Sequence, residues 1–400
     1  MEACGLIVEY NPFHNGHQYH VEKAREQSKA DCLIAVMSGS FLQRGEPAII
    51  DKFHRAKAAL ASGVDIVIEL PYAYAVQSSR YFAKGAVLSL HALGASSICF
   101  GSESGEIAPF YDGVRRLNEK RQTYDELVKR YLKQGLSYPE ASSKAYQDIG
   151  IEGLDLFQPN NILGFSYVRT IVEHQLPIRA LTIKRKSSHY HDEEIKGKIA
   201  SATSIRKALK KHALTDELVQ AIPEATKEQL LNYKEKAGIW HDWDRYFPLL
   251  HYRVMTMTKE QLNEIHGVDE GIEGRIIEAM KRAENFNDLL KLVKTKRYTQ
   301  VRLQRMFVHI LTNTTKKQME PFLKKNEAPY IRLLGMTENG RAYLNRVKKA
   351  LDMPLIVNLN KMSDELYLDE RALRAYYSIL PDEKRLELFQ QEFQLPIIYP

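Results

Sequence analysis

At 400 residues the chain is too long for one ordinary core, so two or three domains are expected. Hydrophobic residues make up 44 % of it, no apolar run approaches the roughly 20 residues a bilayer span needs, and no signal peptide is apparent, so the cytosol is the expected address and no membrane partner is expected. The formal charge of +7, with a pI near 9.0, permits an anionic partner such as RNA without demanding one.

The first hundred residues alternate strand and helix. Residues 3–10 are predicted as a strand and 17–28 as a helix. Asp31 to Met37 is a second apolar strand, closed by Ser38-Gly39-Ser40. Lys52 to Ser62 has helical spacing that Gly63 breaks. Val64 to Leu70 is a third strand, stopped by Pro71. Ser79 to Leu93 is a helix ended by Gly94, and Ser97 to Phe100 a fourth strand. Strands this apolar predict a Rossmann-like parallel sheet covered on both faces, an α/β fold that binds ligands outside the carboxyl ends of its strands. Residues 105–150 are polar and helical, an expected insertion. A helix from about Gln158 to His174 and a fifth strand, Ile178 to Ile183, follow. After a polar loop from Lys184 to Lys198, Ser201-Ala202-Thr203-Ser204-Ile205-Arg206 opens another helix.

Beyond about residue 215 apolar residues recur at helical spacing through Leu249, Leu262, Ile276, Leu289, Leu303 and Ile310. The expected division is therefore a nucleotide-binding unit over 1–214 and a mainly helical C-terminal region over 215–400, with Pro354-Leu355-Ile356-Val357 as one candidate added strand. Cys4, Cys32 and Cys99 form no Cys-x-x-Cys pair and suit small buried side chains better than a disulfide or zinc framework.

The chemistry concentrates after the first strand, in His14-Asn15-Gly16-His17 at the mouth of a helix. Helix N-termini attract anions, a glycine admits close approach, and imidazoles three residues apart can both donate to phosphate oxygens as charge moves onto pyrophosphate; a pair of capping histidines or zinc ligands fits the same spacing. Ser201, Thr203 and Arg206 suit the β- and γ-phosphates, though a Ser/Thr helix cap with a solvated arginine fits the same residues. His189-Tyr190-His191-Asp192 lacks a third clear metal ligand, and no metal site is assigned. Gln43-Arg44-Gly45-Glu46-Pro47 either borders a substrate pocket or is a plain surface loop. Between Lys281 and Lys317 ten Lys or Arg face two acids, Glu284 and Asp288, with Tyr298 and Phe307 interleaved. Such a local excess suits a phosphate-tracking surface, here Lys291, Lys294, Lys296, Arg297, Arg302 and Arg305.

The His-x-Gly-His run resembles the signature of the nucleotidyltransferase superfamily, and Ser201 to Arg206 resembles the second signature of its adenylyltransferases. Gly5 to His17, Val36 to Ala48, Gly63 to Pro71, Phe100-Gly101-Ser102-Glu103, Asn160 to Gly164 and Ile183-Lys184-Arg185 together resemble the tRNA(Met) cytidine acetate ligase family over essentially the whole chain. The resemblance implies a two-step reaction. Acetate and ATP give acetyl-adenylate and pyrophosphate; N4 of the wobble cytidine of elongator tRNA(Met) then takes the acetyl group and AMP leaves. It implies that ATP is bound by Ile7, Val8, Glu9, Tyr10, Asn11, Pro12, Phe13, His14, Asn15, Gly16, His17, Gln18, Tyr19 and His20, joined by Gly101, Asn161 and Arg185, with His14 and His17 catalytic. Mg²⁺ is expected with ATP, with no protein ligand nameable, and the oligomeric state stays open. Two rival expectations are an adenylyltransferase for a small phosphorylated cofactor precursor and a non-catalytic RNA-binding protein; the basic helical region disfavours the first, intact His14, Gly16, His17 and Arg206 the second.

Overall fold

The computed structural model describes residues 1–185, 200–211, 214–269, 271–359 and 366–400. The strands are β1 (Ala3–Val8), β2 (Cys32–Ser38), β3 (Ile66–Leu70), β4 (Ser97–Ser102), β5 (Arg179–Lys184), β6 (Ile331–Thr337), β7 (Leu355–Ile356) and β8 (Ile397–Tyr399). They form one sheet in the order β5-β4-β1-β2-β3-β6-β7, with β8 also on β6. The first five are parallel. The chain runs outward from β1 through β2 to β3, then returns to β1's other side with β4, so the strand order switches at β1/β4.

The helices of the first half are α1 (Asn15–Ser28), α2 (Lys52–Ala61), α3 (Tyr72–Ala75), α4 (Ser79–Ala92), α5 (Ala108–Glu119), α6 (Arg121–Lys133), α7 (Tyr138–Asp148), α8 (Pro159–Glu173) and α9 (Ala202–Lys211). Strand residues alternate between two cores. Cys4, Leu6 and Val8 of β1 pack with Val21 and Ala24 of α1 and with α2. Ile34 and Val36 of β2 face the other way, toward Phe82, Ala86 and Leu90 of α4 and Phe165 and Val168 of α8. Helix α5 packs on α8, α6 and α7 pack on each other, and Tyr146 of α7 meets Phe165 of α8. The three cysteines are free and buried.

From residue 216 the chain is helical: α10 (Asp216–Gln220), α11 (Glu224–Ala237), α12 (Trp243–Thr256), α13 (Lys259–Glu264), α14 (Ile272–Met280), α15 (Phe286–Val293), α16 (Gln300–Leu311) and α17 (Lys316–Lys324). Leu262, Ile276, Leu289, Leu303 and Ile310 are core as expected, but Leu249 is 37 % exposed and its neighbour Leu250 is buried instead. Then the chain rejoins the sheet. β6 pairs antiparallel with β3, and α18 (Glu338–Val347), α19 (Tyr367–Tyr377) and α20 (Asp382–Gln390) follow among the end strands. The sheet thus extends past residue 214, where the sequence reading ended the nucleotide-binding unit, because Ile331, Leu333 and Leu334 bury against the β3 edge. The added strand expected at 354–357 is β7.

Candidate active site

Strand β1 ends at Val8, and Glu9 to His14 turn sharply into α1, with a cis Asn11–Pro12 bond and Tyr10 at φ 47°. His14 is the N-cap. Its Nδ1 accepts from Gly16 N at 3.0 Å and His17 N at 3.3 Å, while its own backbone N–H donates to His17 Nδ1 at 3.3 Å. The two rings stack with centroids 3.7 Å apart. An acceptor Nδ1 on each ring leaves the proton on each Nε2, so the network assigns two neutral imidazoles that both donate through Nε2–H. Burial is the main reason both stay neutral. It holds the His14 pKa down to about 3, helped by Arg185 and Arg206, and holds His17 well below the ordinary value, helped by His14 and Arg185.

This corrects the expected role of the helix amides. Asn15 N donates to Ala221 O at 3.1 Å, Gly16 N and His17 N to His14, and Gln18 N to His14 O at 3.0 Å. The first amides of α1 are engaged within the protein, so the donors presented to an anion are the imidazoles. Gly16 has a different reason too: a Cβ there would meet His14 Cε1 at 2.9 Å. The glycine makes room for the capping ring.

Two guanidiniums flank the pair. Arg206 donates to Asn11 O at 3.0 Å and pairs with Glu46 at 2.9 Å, which brings α9 to the turn. Arg185 donates to Asn160 Oδ1 at 3.2 Å and lies over Gly101, whose Cβ would come 3.1 Å from its Cγ. Gly101 and Arg185 therefore sit together at the β1/β4 switch, where an open sheet binds ligands. Ser201 caps α9, accepting Ser204 N at 3.0 Å, and Thr203 is half-buried on its first turn. Asn161 is committed internally: its Oδ1 accepts from Glu103 N and Ser104 N, and its Nδ2 donates to Asp155 O. It shapes the loop after β4. His20 Nε2 donates to Cys99 O at 3.1 Å and ties α1 to β4, and burial lowers its pKa to about 4. Asn15 Nδ2 is held by Gln220 O. Tyr10 and Phe13 are buried beside His17, and Tyr19 packs on the α1–α2 core. Gln18 bonds Glu22 on the exposed side of α1. Ile7 is half-buried and Val8 is buried within β1.

The strand ends also carry buried polar atoms without partners: Tyr10 Oη, Asn11 Nδ2 and Ser38 Oγ. Asn11 Oδ1 accepts Ile49 N at 2.7 Å, which fixes the amide so that Nδ2 is a donor in want of an acceptor. Beneath them lies Arg55, which sequence reading missed. It is fully buried on α2 and donates to Glu9 O at 2.7 Å, Ser38 O at 2.9 Å, Ile50 O at 3.2 Å and Gly39 O. One guanidinium thus clamps the ends of β1 and β2. Helical spacing over Lys52 to Ser62 gives no sign that Arg55 is buried.

The loop Gln43 to Pro47 is no plain surface loop. Trp243 Nε1 donates to Gly45 O at 2.8 Å, and Gly45, at φ 75°, lies so close to α16 that a Cβ would meet Arg305 N at 2.2 Å. Arg305 turns inward, donating to Gln43 O at 3.4 Å. Arg302 stacks on Tyr298 at 3.9 Å and pairs with Asp269. These two are therefore drawn off the expected basic surface, because the loop and Tyr298 offer them desolvated partners. Lys291, Lys294, Lys296 and Arg297 are exposed, Lys291 beside Asp288. Tyr298 and Phe307 are core residues and unavailable for stacking on bases. Among the described residues no group of three or more His, Cys, Asp or Glu could hold a metal ion, and no helix is long and apolar enough to cross a membrane. His189, His191 and Asp192 lie outside the described residues.

A model of the HIGH Nucleotidyl Transferase family matches residues 1–392. The tRNA(Met) cytidine acetate ligase of Oceanobacillus iheyensis is 53 % identical over 402 residues, covering 100 % of both chains. That of Bacillus subtilis is 45 % identical, covering 100 % of this chain and 98 % of its own. The chain belongs to the tRNA(Met) cytidine acetate ligase family. Crystal structures of Thermotoga maritima TmcAL agree. The apo form superposes with a TM-score of 0.92 at 34 % identity, covering 100 % of this chain and 99 % of that one. The form bound with alpha-thio ATP gives 0.90 at the same identity and coverage.

Proposed function

We propose that the chain is an ATP-dependent ligase that acetylates N4 of the wobble cytidine of elongator tRNA(Met), giving N4-acetylcytidine. The observation that carries this reading is the pair of Nε2–H donors on His14 and His17 at the β1 end, in a chain matched along its whole length by tRNA(Met) cytidine acetate ligases. Acetate has no usable leaving group, so one must be installed. Its carboxylate attacks the α-phosphate of ATP and pyrophosphate departs, leaving a mixed anhydride. The cytosine amine, whose lone pair is delocalised into the ring, then attacks the activated carbonyl and AMP leaves.

The residues support a division of labour. The two imidazoles donate to oxygens on which charge builds as pyrophosphate leaves. Arg185, Arg206 and the cap of α9 at Ser201 and Thr203 neutralise the polyphosphate, and Gly101 gives the nucleotide access at the β4 end. Asn11 Nδ2 and Ser38 Oγ, buried and partnerless, suit the acetate oxygens. Mg²⁺ enters with ATP through phosphate oxygens and water, which requires no protein cage. The exposed Lys291, Lys294, Lys296 and Arg297 track tRNA phosphates.

The test is incubation with ATP, labelled acetate and tRNA, followed by mass analysis of the tRNA nucleosides. Acetate-dependent pyrophosphate release and label in cytidine are expected. AMP transferred intact to a phosphorylated small molecule, or tRNA binding without ATP turnover, would overturn the reading.

A further inference from the structure

Acetyl transfer to an amine releases a proton, and the imidazoles cannot take it. Each Nδ1 already accepts a backbone N–H, and each Nε2 carries hydrogen. The carboxylates near the strand ends are nearly all committed. Glu46 pairs with Arg206 at 2.9 Å and Glu69 with Lys52 at 2.7 Å, while Glu103 accepts Asn160 N and Asn161 N at the start of α8. Glu9 differs. It is the first residue past β1, half-buried, and makes no ion pair among the described residues. Its Oε1 accepts Gln43 N at 2.8 Å, and Arg55 pins its carbonyl at 2.7 Å. Gln43 O in turn receives Arg305 from α16. Its carboxylate thus joins the end of the strand that leads into the imidazole pair to the loop gripped by the basic helical region.

We propose that Glu9, rather than binding ATP, is the general base of the second step. This rests on the acetate-ligase reading above. The N4 lone pair attacks the carbonyl carbon of acetyl-adenylate, the bond from that carbon to the phosphate oxygen breaks, AMP leaves with the electron pair, and the N4 proton passes to Glu9 and then to water. Half-burial suits both the desolvation a base needs and the return of the proton to solvent. Burial, chiefly, raises the Glu9 pKa; the Gln43 N–H bond opposes it most, Glu46 adds to the rise, and Arg44 and Arg206 oppose it further, with Arg55 and Tyr167 also facing the group.

Single-turnover acetyl transfer from preformed acetyl-adenylate, with acetate-dependent pyrophosphate release measured separately, tests it. Glu9→Gln is expected to slow transfer by about 10²–10⁴-fold with pyrophosphate release retained, which also reports a folded protein. The wild-type transfer rate should fall as pH drops through a carboxylate ionisation above the usual range, and this limb should vanish in Glu9→Gln and persist, shifted, in Glu9→Asp. Equal loss of both steps, normal transfer, or an unchanged pH profile would overturn the proposal. A wild-type protein that acetylates no tRNA would instead sink the underlying reading.

Discussion

The turn after β1 and the basic stretch from α15 into α16 both meet anions in the proposed reaction, yet they are built oppositely. In the turn every donor is pre-set: His14 and His17 hold each other's tautomers, and Arg55 fixes the strand ends beneath. On the basic stretch Lys294, Lys296 and Arg297 are exposed on long, rotatable chains. Geometry selects in the first, charge alone in the second. One missing atom should therefore ruin the turn, whereas the basic stretch should weaken in steps and respond to salt.

The largest effect should come from His17→Ala. Removing a donor aimed at developing charge typically costs about 10²–10³ in rate. Pyrophosphate release should fall accordingly while tRNA affinity, read by filter binding, stays unchanged; normal turnover would erase the contrast. Arg55→Met should destabilise the protein by about 3 kcal/mol or more in denaturant titration, since several buried carbonyls lose their donor at about 1–3 kcal/mol each. A wild-type midpoint would remove Arg55 from the support of the turn. Neutralising Lys294, Lys296 and Arg297 together should reduce the slope of log affinity for tRNA against log salt by about 2–3, leaving pyrophosphate release intact. A wild-type slope would take this stretch out of the interface.

The remaining effect concerns pH. The His14 pKa lies near 3 in the folded chain against an ordinary 6.5, so folding favours the neutral ring. Its contribution to stability is complete above 6.5 and is lost as pH falls from there toward 3. The melting temperature should decline over that window, and less so in His14→Asn, whose shorter side chain still caps the helix. Equal acid sensitivity in both proteins would count against a neutral, buried His14.

The parallel strands were legible because long apolar runs between turns leave few alternatives, and β1 to β5 lie where those runs are. β6 was not, since Arg332 interrupts its apolar pattern and pairs with Glu392 inside the protein. Helix α3 is four residues long, too short for any period to register. The His-x-Gly-His turn announced itself; what its amides do was hidden, because that depends on the His14 ring folding back onto Gly16 N and His17 N and, for Asn15 N, on Ala221, some two hundred positions away. Helix α2 was the least transparent element. Lys52, His54 and Arg55 are all buried, each with a partner that helical spacing does not reveal: Glu69 for Lys52, the N-cap Asp51 for His54, and the strand-end carbonyls for Arg55.

The clasp on Gly45 has a mechanical consequence. Trp243 and Arg305 seize the Gln43–Gly45 segment from one side, and Glu9 takes Gln43 N from the other. Sliding the helical half past the sheet would either break the Trp243 and Arg305 attachments together or pull Gln43 away from Glu9. In the proposed reaction, an RNA held on the lysines would then sit at a set offset from the β1 end, and the clasp would act as a ruler for how far its loop must protrude.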